Sequence, residues 1–120
     1  MSEYTKNFRT ATGNLTKDPE LRFTPTGKAV CNIDIAENIR KEGKEDETKF
    51  WNRIAVWDSM AENAAESLHK GDRVVVVFYS KPDTWTDRNG KERQDEKHTA
   101  IVLGAELRWA TVQVTKNKRN

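Results

Sequence analysis

Apolar and polar side chains alternate along most of the chain, and this pattern predicts a protein built mainly of short β-strands. The clearest case is residues 30–38, where Cys31, Ile33 and Ile35 are separated by polar or small residues. Alternation of this kind is typical of a strand with one buried face. Alternation, short apolar runs and the turns between them predict strands at residues 8–15, 21–23, 30–38, 50–57, 74–79 and 99–103, with residues 107–114 as a final addition.

A helical pattern occurs once, at residues 58–70. Its apolar stripe, at spacings close to the helical repeat, consists of Met60, Ala61, Ala64, Ala65 and Leu68. Ser59, followed three residues later by Glu62, predicts a capping box at the start of the helix. Gly71 predicts its C-terminal end.

Residues 50–57 carry the most informative alternation. It predicts that Ile54 and Val56 point inward together with Asn52. The predicted outward face consists of Trp51, Arg53, Ala55 and Trp57. Two tryptophans are an unusual choice for a face that meets only water, and they suggest a binding surface.

A hairpin is predicted after the helix. Residues 74–79 form a continuous apolar run, and Trp85 leads into residues 87–90, whose Asn89–Gly90 pair is a strong hairpin signal. Three strands, a helix and a two-stranded hairpin predict an OB-fold, a five-stranded Greek-key barrel with its helix between strands 3 and 4. Small α+β folds share this order of elements.

Composition adds a size and a compartment. A chain of 120 residues predicts one domain, residues 1–115, followed by a short basic tail, residues 116–120. The net charge of +2 is too small to indicate a nucleic-acid partner by itself. The single cysteine, Cys31, and the absence of an apolar leader or membrane-length run predict a soluble, cytoplasmic protein without a membrane partner.

No chemistry of catalysis is visible in the pattern. The sequence contains no cluster of His, Cys, Asp and Glu with metal-ligand spacing, no glycine-rich phosphate loop and no nucleophile elbow. His69 is predicted to be a surface residue at the helix end, and His98 is predicted to be structural. We therefore expect a protein that is not an enzyme and that needs no cofactor or metal.

Residues 13–27, GNLTKDPELRFTPTG, closely resemble the opening of the bacterial single-stranded-DNA-binding (SSB) protein family. Further blocks of likeness follow in order, at residues 29–33, 61–68, 70–74 and 85–87, and the likeness extends from about residue 13 to residue 115. The end of the domain is similar to that of actinobacterial members. The resemblance implies an OB-fold, a role in DNA replication, recombination and repair, and a homotetramer.

The resemblance also implies the residues that bind DNA. Single strands are bound by aromatic rings that stack on bases and by cations that contact phosphates. The positions that match the family are Trp51, Trp57 and Trp85 for stacking and Arg53 and Lys70 for phosphate. The hairpin tip adds three cations with an expected phosphate role, Arg88, Lys91 and Arg93.

The chain also departs from the family pattern. Family members commonly carry another stacking aromatic where this chain has residues 38–40, and bacterial members end in a long tail with an acidic tip. Residues 116–120 are basic instead. The expectation is that no tail recruits repair enzymes, as in a phage, plasmid or accessory member acting in the host cytoplasm.

The pattern alone leaves alternatives open. Two tryptophans on one strand face are more often core or subunit interface than a stacking surface, and Trp109 is predicted to pack. A replication-accessory adaptor of OB-fold, using the same face for protein or RNA, is the main alternative to a DNA-binding protein. A small hydrolase or nuclease on this fold would need clustered carboxylates or histidines, which the sequence does not offer.

Overall fold

A computed structural model describes residues 8–118 of the chain. Residues 1–7, where the absence of a leader was predicted, and residues 119–120 of the predicted tail lie outside the described residues. The elements of the described part are β1 (Phe8–Leu15), β2 (Glu20–Phe23), β3 (Ala29–Ile39), β4 (Glu47–Trp57), α1 (Asp58–Ser67), β5 (Arg73–Thr86) and β6 (Glu92–Ala105).

The strands form one sheet in the order β1-β5-β6-β4-β3-β2, and a further pairing of β1 with β3 closes it into a barrel. The barrel strands are β1, β3, β4, β5 and β6, while β2 pairs with β3 outside the ring. All pairings are antiparallel except that of β4 with β6. Helix α1 follows the third barrel strand and precedes the fourth, so the predicted OB-fold is confirmed.

The core lies inside this barrel. The predicted inward residues of β3, Cys31, Ile33 and Ile35, are fully buried, and Phe78 on β5 is the largest fully buried side chain. Helix α1 covers one side of the core through Ala61, whose carbonyl oxygen accepts a hydrogen bond from the Cys31 thiol at 3.7 Å. Burial raises the pKa of the Cys31 thiol, so this thiol is a packing group of low reactivity.

Closure of the barrel depends on Gly13. This residue of β1 pairs with Val74 on β5 and lies directly against β3. A β-carbon at this position would lie 2.3 Å from the carbonyl oxygen of Ala36 and 2.6 Å from a methyl group of Ile35. Only glycine allows the two strands to approach so closely.

The prediction for residues 50–57 is wrong for Asn52 and for Trp51. Asn52 is exposed rather than inward, and Trp51 lies opposite the buried Ile35 and packs against the core. The cause is a β-bulge, in which Asn52 and Arg53 together face a single residue of β3. A bulge moves the alternation by one residue, so Trp51 does not share a face with Arg53 and Trp57 as predicted.

The predicted ends of the helix are also wrong. Helix α1 has Trp57 at its N-cap, with no side-chain hydrogen bond, so Ser59 and Glu62 do not form a capping box. It ends at Ser67, three residues before Lys70. Gly71 adopts a φ of 92° in the turn that follows, where its N–H donates to Leu15, and thereby joins the helix exit to β1.

Residues 107–114 do not form the predicted final strand. They continue from β6 without strand pairing, and Asn117 beyond them hydrogen-bonds the Asn63 side chain of α1 at 3.0 Å. The prediction that Trp109 packs is wrong within this chain, because Trp109 is 72% exposed. The guanidinium groups of Arg73 and Arg108 lie 4.8 and 5.6 Å from its ring centroid.

Candidate nucleic-acid interface

A groove of about 690 Å³ runs between the barrel wall and the outer half of the β5–β6 hairpin. Its lining comes from β3, from the bulged part of β4 and from both hairpin strands: Asn32, Asn52, Arg53, Ala55, Asp83, Trp85 and residues 95–98. Polar side chains dominate this lining, with Trp85 as its large aromatic member. The groove is therefore built for a ligand with both charged and flat apolar parts.

Arg53 enters this groove because of the bulge. Its backbone adopts a left-handed φ of 55°, and its N–H donates to the Asp34 carboxylate at 2.8 Å. The Arg53 side chain is exposed, and no ion pair to it occurs among the described residues. Arg53 and Ala55, which the alternation predicted to face outward, both line the groove, although Ala55 is buried at 7% exposure.

Trp85 lies across the groove from the barrel wall. It is 46% exposed and pairs with Arg93 in the hairpin ladder. The two hairpin strands remain paired as far as residues 86 and 92, so this arm is a regular ribbon rather than a loose loop. An indole held on a paired ribbon is a suitable surface for stacking a base.

The hairpin tip is organised by Asp87. Its carboxylate accepts hydrogen bonds from the N–H groups of Asn89 and Lys91 and from the Arg93 guanidinium, each at 2.9 Å. The Lys91 N–H and the guanidinium hold the pKa of Asp87 below its ordinary value. Of the three predicted tip cations, Arg93 is thus tied to Asp87, while Arg88 and Lys91 have exposed side chains.

Trp51 belongs to an aromatic cluster at another part of the barrel. Its ring meets Phe78 and His98 edge to face, at centroid distances of 5.2 and 5.8 Å, and its indole N–H donates to Glu37 at 3.2 Å. The Lys49 ammonium lies 4.1 Å from the Trp51 ring centroid. Trp51 is held on several sides. Because it is only half-buried, part of its surface remains open to a ligand.

The other two predicted contacts lie outside the groove lining. Trp57, at the end of β4, is half-buried, and the Lys28 ammonium lies 5.6 Å from its ring centroid. Lys70 is exposed beyond α1, where its N–H donates to Asp18 at 2.7 Å. The structure therefore brings Arg53 and Trp85 together in the groove and places Trp51, Trp57 and Lys70 around it on the barrel.

Sequence reasoning missed the two lysines that lie over tryptophan rings. Lys49 precedes Trp51 by two residues on the same strand, and this spacing could have identified it. Lys28 lies on the turn before β3 and reaches Trp57 only through strand pairing, since Trp57 is opposite Val30. No local signal in the sequence connects Lys28 with Trp57.

His98 is the titratable member of the aromatic cluster that it forms with Trp51 and Phe78. Its Nδ1 lies 2.7 Å from the Ser80 hydroxyl, and its ring contacts Phe78 as well as Trp51. Burial lowers the pKa of His98 below its ordinary value of 6.5, and this effect outweighs the opposing influence of Glu96. The same imidazole also lines the groove, so His98 is in contact with both the groove and Trp51.

We expect the stability of the protein to fall on acidification through His98. The unfolded chain binds a proton at this residue near pH 6.5, whereas the folded chain binds it only at lower pH. The free energy of unfolding should therefore decrease as pH falls below 6.5, and His98→Gln should reduce this loss. Urea denaturation of both proteins at pH 7.5 and 5.5 measures it; equal losses in both would contradict the assignment.

The described residues lack both a metal-binding cluster and a membrane-spanning helix. Within residues 8–118, no group of three or more His, Cys, Asp or Glu side chains could hold a metal ion. In the same part of the chain, no helix has the length and apolar character needed to cross a membrane.

An OB-fold barrel with a polar groove, an exposed arginine in it and tryptophans with cations around it defines a class of protein, the single-strand nucleic-acid-binding modules. The profile of the single-strand binding protein family matches residues 7–108. The chain belongs to the single-strand binding protein family.

Curated relatives agree with this assignment. The chain is 43% identical to the single-stranded DNA-binding protein of Paenarthrobacter aurescens, over 92% of this chain and 68% of that protein. It is 41% identical to the protein of the same name from Mycolicibacterium smegmatis, over 92% and 70% of the two chains. Single-stranded DNA-binding protein 2 of Streptomyces coelicolor is 42% identical, over 89% of this chain and 56% of its own length.

Proposed function

We propose that this protein binds single-stranded DNA with little sequence preference and protects it during replication, recombination and repair. The observation that carries the proposal is the groove in which the exposed cation of Arg53 lies with the indole of Trp85. Membership of the single-strand binding protein family and the names of its relatives support DNA as the ligand.

The chemistry of the groove suits a single strand. Trp85 offers a ring on which an unpaired base stacks, and Arg53 offers a cation for the adjoining phosphate. Every base has a flat face, so this mode of binding tolerates any sequence. The bases of a duplex are already stacked on each other and cannot reach Trp85.

The path of the strand extends from the groove over the barrel. Trp57 and Trp51 provide two further rings, each with a lysine ammonium close to it, and Lys70, Arg88 and Lys91 provide exposed cations. Lys28 and Lys49 would contact phosphates when bases take their places on the rings. Arg93 acts through Asp87, because its guanidinium is held in the hairpin tip.

Acidic side chains in the groove moderate the attraction for phosphate. Asp83 and Asp95 lie directly opposite each other in the hairpin ladder, and both line the groove with Glu96. Together with a net charge of +2, they support binding that depends on stacking as well as on charge. The protein would bind DNA without chemical turnover.

Binding of a labelled dT oligomer and of a duplex of equal length, measured by fluorescence anisotropy across a salt series, tests the proposal. We expect tight binding of the oligomer, weak binding of the duplex and recovery of both intact. Affinity should fall with salt with a slope of about −0.7 for each phosphate neutralised. Equal affinity for the duplex would contradict the proposal, and an rU oligomer of the same length decides between DNA and RNA.

We further propose that the protein is a homo-oligomer, with the tetramer as the expected form. The described chain exposes large apolar side chains on the outer barrel and the C-terminal segment: Phe8, Ile101, Val102, Leu107, Trp109, Val112 and Val114. Apolar surface of this extent is typical of an interaction site. Size-exclusion chromatography with light scattering gives the mass of the assembly. A monomer at micromolar concentration would contradict the tetramer.

A further inference from the structure

The bulge that places Arg53 in the groove is stabilised by a side chain rather than by a backbone hydrogen bond. In the β3–β4 ladder, Ile33 lies opposite Ile54 and Ile35 lies opposite Trp51, so Asn52 and Arg53 share Asp34 as their counterpart. An extra residue in one strand interrupts the ladder hydrogen bonds and leaves a backbone group without its usual partner. Here that group is the N–H of Arg53.

The Asp34 side chain takes the place of the missing ladder bond. Its Oδ1 accepts the Arg53 N–H at 2.8 Å, while its Oδ2 lies 3.5 Å from the Lys17 ammonium. The backbone of Asp34 is also fixed, because its carbonyl oxygen accepts the Thr16 N–H at 2.9 Å. The carboxylate is only 16% exposed, so water does not easily replace it as the acceptor.

Arg53 needs such a support because its φ of 55° lies in the left-handed region, which is unfavourable for a residue with a β-carbon. A residue held in this region persists only where surrounding contacts determine it. The bulge then sets two side chains at once: it places Arg53 in the groove lining and turns Trp51 toward Phe78.

We propose that Asp34 is a positioning residue for single-strand binding, whose carboxylate holds the β4 bulge and through it directs Arg53 into the groove. The inference rests on the proposed function. Asp34 needs no contact with the DNA itself. What the site requires at this position is a hydrogen-bond acceptor, not a negative charge, because Lys17 already offsets the charge.

Four variants test whether the site needs the acceptor or the charge of Asp34, and whether Asp34 acts through Arg53. They are Asp34→Ala, Asp34→Asn, Arg53→Ala and the double substitution of both residues by alanine. Asn keeps an oxygen acceptor for the Arg53 N–H and removes the charge, whereas Ala removes both. Affinity for a dT oligomer across a salt series and hydrogen exchange of the backbone amide of residue 53 are measured for all four variants. Asp34→Leu, close to Asn in size but without an acceptor, replaces Asp34→Ala if the latter does not fold.

We expect Asp34→Ala to bind dT roughly tenfold more weakly, the effect of one lost contact to a charged group. Its salt slope should become shallower by about 0.7, the share of one phosphate contact. Asp34→Asn should remain within about twofold of the unmodified protein, and Asp34→Ala should add almost nothing to Arg53→Ala. Exchange of the Arg53 amide should accelerate in Asp34→Ala but not in Asp34→Asn.

Other results would overturn the inference. Equal weakening by Asn and Ala would show that the charge matters, and full weakening on top of Arg53→Ala would show an effect that bypasses Arg53. Unchanged affinity in Asp34→Ala, with dT binding intact in the unmodified protein, overturns the positioning role alone. Failure of the unmodified protein to bind dT overturns the proposed function, and the amide exchange then still decides whether Asp34 holds the bulge.

Discussion

Replacement of Gly13 by alanine is expected to destabilise the protein by about 3 kcal/mol or more, the upper range for an overpacked site. The added methyl carbon would lie 2.3 Å from the Ala36 carbonyl oxygen, which belongs to the backbone of a barrel strand and cannot rotate away. Either β1 separates from β3, or both strands move. Since domains of this size are stable by about 5–15 kcal/mol, the loss is a large fraction of the total.

Gly104 offers a matched control for this substitution. It lies in β6, in the same barrel, and an added β-carbon there has no atom within 4 Å. Gly104→Ala should therefore be neutral or stabilise the protein by about 0.4–1 kcal/mol through the lower entropy of the unfolded chain. Urea denaturation of both variants measures the difference. Equal stability of the two would show that β1 and β3 do not close the barrel at Gly13.

Replacement of Trp51 by alanine is expected to affect stability and binding together. The half-buried ring contacts Phe78 and His98, so its loss should cost about 2–3 kcal/mol of stability, less than the 3–5 kcal/mol of a fully buried tryptophan. The binding free energy for dT should fall by about 1–3 kcal/mol, the contribution of one stacked base.

Trp51→Phe separates the two roles. It keeps a ring against Phe78 and removes the N–H that Glu37 accepts, so it should retain most of the stability and part of the binding. Urea denaturation and dT titration of each variant give both quantities. A stability loss without any change in dT affinity would make Trp51 a packing residue alone.

Much of the fold could be predicted from alternation. The strand formed by residues 8–15 and the inward residues of β3 were predicted correctly, since each lies in a regular ladder with one buried face. The hairpin was longer than predicted: β5 continues through Pro82 and β6 begins at Glu92. These outer halves have no buried face, so their side chains show no apolar alternation.

The bulge in β4 could not be predicted from alternation. A two-residue period assumes an uninterrupted ladder, and one extra residue reverses the direction of every side chain beyond it. The sequence around Arg53 contains no glycine to indicate a left-handed backbone. The support comes from Asp34, nineteen positions earlier in the sequence, and becomes visible only when the strands pair.

The predictions for the helix start and for the C-terminal segment were wrong for other physical reasons. The extended residue before α1 is Trp57, with a φ of −118°, and its side chain makes no cap hydrogen bond, while Ser59 already lies inside the first turn and cannot occupy the cap position. Residues 107–114 have the apolar content of a strand but pair with no strand of residues 8–118. The resemblance located the tryptophans and Arg53, whereas their grouping into a groove and a separate cluster required the structure.

The central claim, that a single strand lies in the groove beside Arg53 and Trp85, is tested most directly by intrinsic fluorescence during titration with dT oligomer. Trp85→Phe and Trp109→Phe are compared with the unmodified protein, since Trp109 lies outside the groove lining. We expect dT to quench the unmodified protein and Trp109→Phe with equal affinity, and Trp85→Phe to show weaker binding and less quenching. Unchanged quenching and affinity in Trp85→Phe, with loss of both in Trp109→Phe, would place the DNA elsewhere and contradict the claim.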